Sequence, residues 1–190
     1  MKIICQIPCV DAPVATFSLP ETALGRAGQP LFLPDEVGRI CVLPAVVVRV
    51  GRLGKHIAER FAHRYYDNWS MGLLFVIEKR LKQLQQNGQP WHEAFDMDGV
   101  LRVGRDIPMG TVDTQLRFTI TENPKVCFDI TALHLRKTFD ALLHHTTEYS
   151  TIRQGDLLVS CLTSNPLPVT MESTCHGHIN EEELLQVKLK

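Results

Sequence analysis

The most constraining feature of this 190-residue sequence is the run at 40–50, Ile-Cys-Val-Leu-Pro-Ala-Val-Val-Val-Arg-Val. It is apolar except at Arg49 and rich in β-branched side chains. A short continuous apolar run of this composition reads as a buried strand. Pro44 inside it removes a ladder donor, so a bulge or an edge position is expected there. The longest apolar stretches, 41–48 and 72–77, fall far short of the roughly 18 residues that span a membrane. The amino terminus reads Met1-Lys2-Ile3-Ile4-Cys5 and soon meets Gln6, Pro8 and Asp11, a strand pattern and not the core of a signal peptide.

Around this strand the pattern alternates between short strands and turns. Residues 1–40 are loop-rich, because Pro8, Pro13, Pro20, Pro30 and Pro34 break any helix. Residues 3–5, 17–19 and 31–33 read as short strands between those breaks. Ile57, Phe61 and Tyr65 recur at i, i+4 and i+8, which predicts a helix over 57–66. Residues 71–86 begin apolar and end in the helix-forming Glu-Lys-Arg-Leu-Lys-Gln-Leu-Gln-Gln, stopping near Gly88 and Pro90. Residues 87–113 read as irregular. Residues 116–120 and 126–128 form a hairpin pattern around Glu122-Asn123-Pro124. Asp129 is placed to cap a helix over 130–145. Strands are expected at 157–162 and 184–189. The class is α+β, mostly β with some α, in a single domain over 1–190, as expected at about 150 residues per domain.

Composition narrows the function classes. Lys plus Arg is 20 and Asp plus Glu is 21, so the formal net charge is −1. A nucleic-acid module carries a basic excess, so none is expected. Apolar residues at 44% and charged residues at 22% suit an ordinary globular core and exclude a disordered chain. The six cysteines, at 5, 9, 41, 127, 161 and 175, form no Cys-x-x-Cys pair and mostly sit in apolar runs. Reduced thiols in a cytoplasmic protein are expected.

Several segments, in order, resemble the fumarylacetoacetate hydrolase superfamily. These are the opening Lys2-Ile3-Ile4-Cys5 strand and 16–24 (TFSLPETAL), similar to a Phe-Phe-Leu-Lys-Pro turn. They continue with 31–34 (LFLP), 45–57 (AVVVRVGRLGKHI), 61–66 (FAHRYY) followed by 71–75, and 155–158 (GDLL) entering a strand. The match spans nearly the whole chain and rests on strand order and glycine placement. It implies the family's mixed β-roll with a few short helices, and homodimers or pairing with a paralogous subunit. It also implies a divalent cation, Mg²⁺ or Mn²⁺, held by a Glu-x-Glu pair and a later Asp. Oxygen ligands of that kind suit hard cations, and the metal polarises small keto acids for hydrolysis, isomerisation or decarboxylation.

Matched position by position, the chain departs from that pattern. The Glu-x-Glu pair falls on Leu43 and Ala45, and the later Asp on Leu74. The Arg that follows it falls on Glu78, and the turn Lys on Leu19. The Thr after the last family strand falls near Leu162. The lysine expected between Trp91 and Phe95 is missing from Trp-His-Glu-Ala-Phe, and no His stands at 8–14. A divalent cation among apolar side chains would pay several kcal/mol of desolvation per charge with nothing to offset it. No metal cofactor is therefore expected, and Leu43, Ala45 and Leu74 are expected to lie together. The resemblance implies a non-catalytic homologue, a binding or partner subunit. Its alternative is an active hydrolase, isomerase or decarboxylase with altered residues, of which His92, Asp96 and Asp98 are the candidates. A small keto-acid-like ligand is compatible with both.

Other constellations have simpler readings. Glu59, His63 and Asp67 at i, i+4, i+8 make a metal-capable stripe or a solvated helix face. Cys175-His176-Gly177-His178 reads as a polar loop. His144 and His145 end the third predicted helix, where positive charge suits the dipole. Asp96-Met97-Asp98-Gly99 makes a turn or a carboxylate pair. Arg102, Arg105, Arg117 and Arg136 share no pattern. Ser70, Ser150 and Ser164 lack a nucleophile-elbow context.

Overall fold

A computed structural model of the chain describes residues 1–8, 14–26, 28–33, 38–111, 115–123 and 125–190. The strands are β1 (Ile3–Ile7), β2 (Ala15–Leu19), β3 (Ile40–Val50), β4 (Tyr66–Ile77), β5 (Leu101–Val103), β6 (Ile107–Pro108), β7 (Leu116–Glu122), β8 (Lys125–Ala132), β9 (Leu157–Cys161), β10 (Leu167–Val169), β11 (Thr174–Ile179) and β12 (Glu182–Lys188). The helices are α1 (Glu59–Ala62), α2 (Glu78–Gln86) and α3 (Leu135–Tyr149), with a 3₁₀ turn at Trp91–Phe95. The architecture is mostly β with a few short helices, as the sequence implies.

The run at 40–50 is the axis of the molecule. β3 pairs antiparallel with β4 from Ile40↔Ile77 to Val50↔Tyr66 and, on its other side, with β9 and β10. The large sheet runs β2-β1-β9-β3-β4-β5, with β10 added to β3 and β6 to β4. The second sheet runs β12-β11-β7-β8. One face of β3 and β4 packs on that second sheet, where Trp69 meets Phe118 edge-on at 6.4 Å. There Gly177 lets the Met71 thioether approach, since a Cβ at Gly177 would lie 2.8 Å from its sulfur. The opposite face builds the cleft described below.

Pro44 lies inside this central strand, neither at an edge nor on a bulge. The ladder with β9 covers 45–49 and the ladder with β10 covers 40–42, so Leu43 and Pro44 face a gap between two neighbours. The Pro44 carbonyl accepts the Leu162 amide at 2.8 Å as β9 leaves the sheet. The missing N–H points the same way, into the gap, and no ladder bond is lost.

Other sequence expectations are corrected. The helix over 57–66 shrinks to Glu59–Ala62, because Tyr66 is already committed to β3 through the ladder. Residues 71–86 divide at Ile77 into strand and helix, again because pairing to β3 outweighs local propensity. The helix starting at 130 begins at Leu135 instead, and β8 runs on to Ala132. Asp129 caps nothing: it takes a two-point bond from Arg117, at 2.9 Å through Nε. His144 and His145 consequently fall inside α3, one turn short of its end. Cys175-His176-Gly177-His178 is part of β11, with Cys175 buried and the two imidazoles alternating outward beside Glu183. Residues 31–33 form one isolated bridge, Leu31 to Leu189, and no strand. The Pro124 turn residue and the positions 9–13 lie outside the described residues.

Arg102 fastens the loop that covers the sheet's β5 edge. Its guanidinium is buried and donates to the carbonyls of Arg26, Gln29 and Pro30 at 2.9, 3.1 and 3.0 Å. A Cβ at Gly25 would run into it, so the glycine is what lets the loop close over the charge. Burial lowers its pKa, but an arginine remains charged at neutral pH. Replacing Arg102 with Met removes the donors of three carbonyls. The expected loss is about 2–4 kcal/mol of stability in urea denaturation, with accelerated proteolysis at 25–31.

Candidate functional site

Residues opposite each other across a ladder project from the same face of a sheet, so register decides which side chains meet. Leu43 stands opposite Leu74, and Ala45 opposite both Gly72 and Cys161. Val47 stands opposite Val159, Val159 opposite Cys5, and Cys5 opposite Phe17. One sheet face is therefore continuous from β4 to β2, and all of these side chains are apolar or thiol. Leu43, Ala45 and Leu74 are neighbours on it, at 1%, 0% and 0% exposure. Gly72 is small for a local reason: a Cβ there would lie 2.6 Å from Val47 Cγ2 and 3.7 Å from the Ala45 Cβ.

A cleft of about 280 Å³ opens at the end of this face, beside the β9–β10 gap, with Leu43 in its lining. It is lined by Ile7, Pro8 and Leu43, by Leu81 and Gln85 of α2, by Trp91 and Phe95, and by Ser164, Asn165 and Pro166 of the loop after β9. The aromatic wall is braced from behind. Phe17 lies 5.6 Å from the ring of Trp91 and 5.6 Å from that of Phe95. Among the described residues, none that lines the cleft carries a titratable side chain.

The thiols on this face are held neutral. Burial pushes Cys161 up to about 12, and burial followed by the neighbouring Cys161 raises Cys5 well above its ordinary value. Cys41, at the far end of β3, is raised to about 11 by burial and then by Glu78. A protonated, enclosed thiol is neither a nucleophile nor a soft-metal ligand.

The candidate residues lie at the margin. His92 is exposed and stacks on Phe17 at 5.7 Å, next to Trp91 but outside the lining. Asp96 and Asp98 are exposed on the turn that follows. Glu78 sits on the surface at the start of α2 with Lys82 and Arg39, and the Lys82 hydrogen bond lowers its pKa. Leu19 is buried in β2, and Leu162 follows β9. Glu59 lies in α1 and Asp67 in β4, so their stripe does not exist as a helix face. Arg105 pairs with Glu182, Arg117 with Asp129, and Arg136 donates to Met109. Among the described residues no group of three His, Cys, Asp or Glu side chains is placed to hold a metal ion.

The fit of Mg²⁺ or Mn²⁺ can be judged from the donors. Hard cations take six or more oxygens, several of them carboxylate. Leu43, Ala45 and Leu74 supply none, and among the described residues that line the cleft the side-chain oxygens are the neutral ones of Gln85, Ser164 and Asn165. That donor set does not fit a divalent cation. Sequence reading missed the polar groups of the cleft. Gln85 lies one turn after Leu81, an i, i+4 spacing that places both on one stripe of α2 and was available from sequence.

No family model and no curated protein matches the chain. Solved structures do match its fold. A protein from Yersinia pestis CO92 described as of the fumarylacetoacetate hydrolase family superposes with a TM-score of 0.85 at 18% identity, covering 100% of this chain and 93% of that one. Fumarylpyruvate hydrolase from Pseudomonas aeruginosa, solved with Mn²⁺ and pyruvate, gives 0.84 at 16% identity over 100% and 89%. The 2-hydroxyhepta-2,4-diene-1,7-dioate isomerase from Mycobacterium marinum gives 0.82 at 19% identity over 99% and 73%. The chain has the fold of fumarylacetoacetate hydrolase family proteins.

Carboxylates placed at these apolar positions one at a time would be stranded. Leu74→Asp is expected to cost about 3 kcal/mol or more in denaturant unfolding. An aspartate tolerated there at neutral pH without loss of stability would mean that Leu74 is more open to water than its burial indicates.

Proposed function

We propose that this protein is a divergent homologue of the fumarylacetoacetate hydrolase superfamily that has given up metal chemistry and acts as a binding or partner subunit. Leu43, Ala45 and Leu74 are read as the former ligand positions. The observation that carries the reading is their adjacency on one buried sheet face beside a cleft whose described lining residues include no charged group. Three carboxylates clustered there without a cation would repel one another, whereas three apolar side chains pack. Substitution by apolar residues is thus the stable outcome once catalysis is not required.

The proposal includes a cytoplasmic setting and pairing with a second copy or an active paralogue. For the setting, the support is the set of unpaired cysteines. No helix among the described residues is long and apolar enough to cross a membrane. The competing reading, an active hydrolase, isomerase or decarboxylase of small keto acids, draws on the position of His92 beside Trp91. In that reading His92, Asp96 and Asp98 would have to reach a substrate from outside the lining.

Titration calorimetry with Mn²⁺ and Mg²⁺, followed by an acylpyruvate hydrolysis assay, separates the two. No saturable metal binding at micromolar concentration and no turnover above the uncatalysed rate are expected. Tight metal binding together with hydrolysis would overturn the proposal, and turnover lost in His92→Ala would establish the competitor.

A further inference from the structure

We infer that the cleft between α2, the Trp91–Phe95 turn and the 162–166 loop takes a small neutral molecule with a flat apolar ring and one amide-like or hydroxyl-like end. An anionic keto acid would not suit it. The inference rests on the non-catalytic reading above and adds a ligand class to it.

Shape and chemistry of the lining give the class. About 280 Å³ lies just below the usual range of small-molecule pockets, room for a single ring with a short substituent. Half-buried Trp91 offers aromatic surface, and the buried Phe17 and Phe95 rings behind it, 5.6 and 6.2 Å away, fix its orientation. Such a wall favours a flat ring over a branched chain. Gln85, Ser164 and Asn165 offer both donors and acceptors and no charge, which matches a group that also donates and accepts.

Charge excludes the alternative. A carboxylate entering the cleft would shed water and meet no cation, since no Lys, Arg or His lines it. The residues outside the described set cannot supply one either. Residues 9–13 read Cys-Val-Asp-Ala-Pro and 34–37 read Pro-Asp-Glu-Val, while 27, 112–114 and 124 are Ala, Val-Asp-Thr and Pro. They contain no Lys, Arg or His. With the donor set unfit for a divalent cation, nothing on this face offsets the charge of a keto acid.

Benzamide and benzoate test this directly, being nearly equal in shape and opposite in the property at issue. Trp91 lies in the lining, whereas Trp69 is buried and bonded to the Pro108 carbonyl, so tryptophan emission reports the site. Titration of the intact protein without metal is expected to give saturable quenching by benzamide, at least tenfold tighter than benzoate. Trp91→Phe should abolish the signal. In NMR spectra the side-chain amide peaks of Gln85 and Asn165 should shift with the same dissociation constant, a readout that does not depend on any variant. Benzoate or pyruvate binding as tightly as benzamide would overturn the ligand class while leaving the non-catalytic reading intact. Pyruvate binding only when Mn²⁺ is added would overturn that reading itself. Failure of benzamide to saturate up to its solubility limit, by emission and by NMR, would overturn the inference alone.

Discussion

The ladder between β3 and β4 holds the molecule together and also decides its chemistry. From Ile40↔Ile77 to Arg49↔Asn68 the register is unbroken, and it is resolved by one irregularity before Val50↔Tyr66. A slip of one residue would send every side chain of β3 to the opposite face. Leu43, Ala45 and Val47 would then meet the second sheet, and Val42, Pro44 and Val46 would line the cleft side. Both faces are apolar, so pattern alone constrains the register weakly. Fit at small residues constrains it strongly: Gly72 beneath Val47 on one face, and Gly177 beneath Met71 on the other. Pro44 adds a third constraint, since its missing donor is harmless only where β9 has ended and β10 has not begun.

The cleft lies at that same gap. The chain leaves β9 at Leu162, anchors to the Pro44 carbonyl, and returns as β10 after Pro166. The proline that reads as a flaw in a central strand sits where the two neighbouring ladders part, beside the cleft.

Much of the fold was legible in the sequence because many of its strands are apolar runs bounded by proline, glycine or polar turns. β1, β2, β3, β7 and β9 fall where such runs predict. Elements whose identity depends on distant pairing were not legible. Tyr66 ends the stretch that reads as a helix and becomes a strand residue because β3 lies beside it. Asp129 has the chemistry of a cap but is held by Arg117 across a ladder. Cys175-His176-Gly177-His178 is polar enough for a loop, yet its Cys and Gly face the core while its histidines face water, an alternation that reads as a strand only once β7 and β12 flank it. Leu43 was legible as an apolar position, with Ala45 and Leu74 as its neighbours on one face. The neutral rim of Gln85, Ser164 and Asn165 was not, because nothing in the sequence says that α2 and the 162–166 loop meet.

The account turns on what occupies the space beside Leu43 and Leu74. Crystals grown in millimolar MnCl₂, with data collected at the manganese absorption edge, address it most directly. The account expects no anomalous peak within bonding distance of that sheet face and unaltered side chains around it. An octahedral manganese site there, ligated by oxygens from any part of the chain, would contradict it.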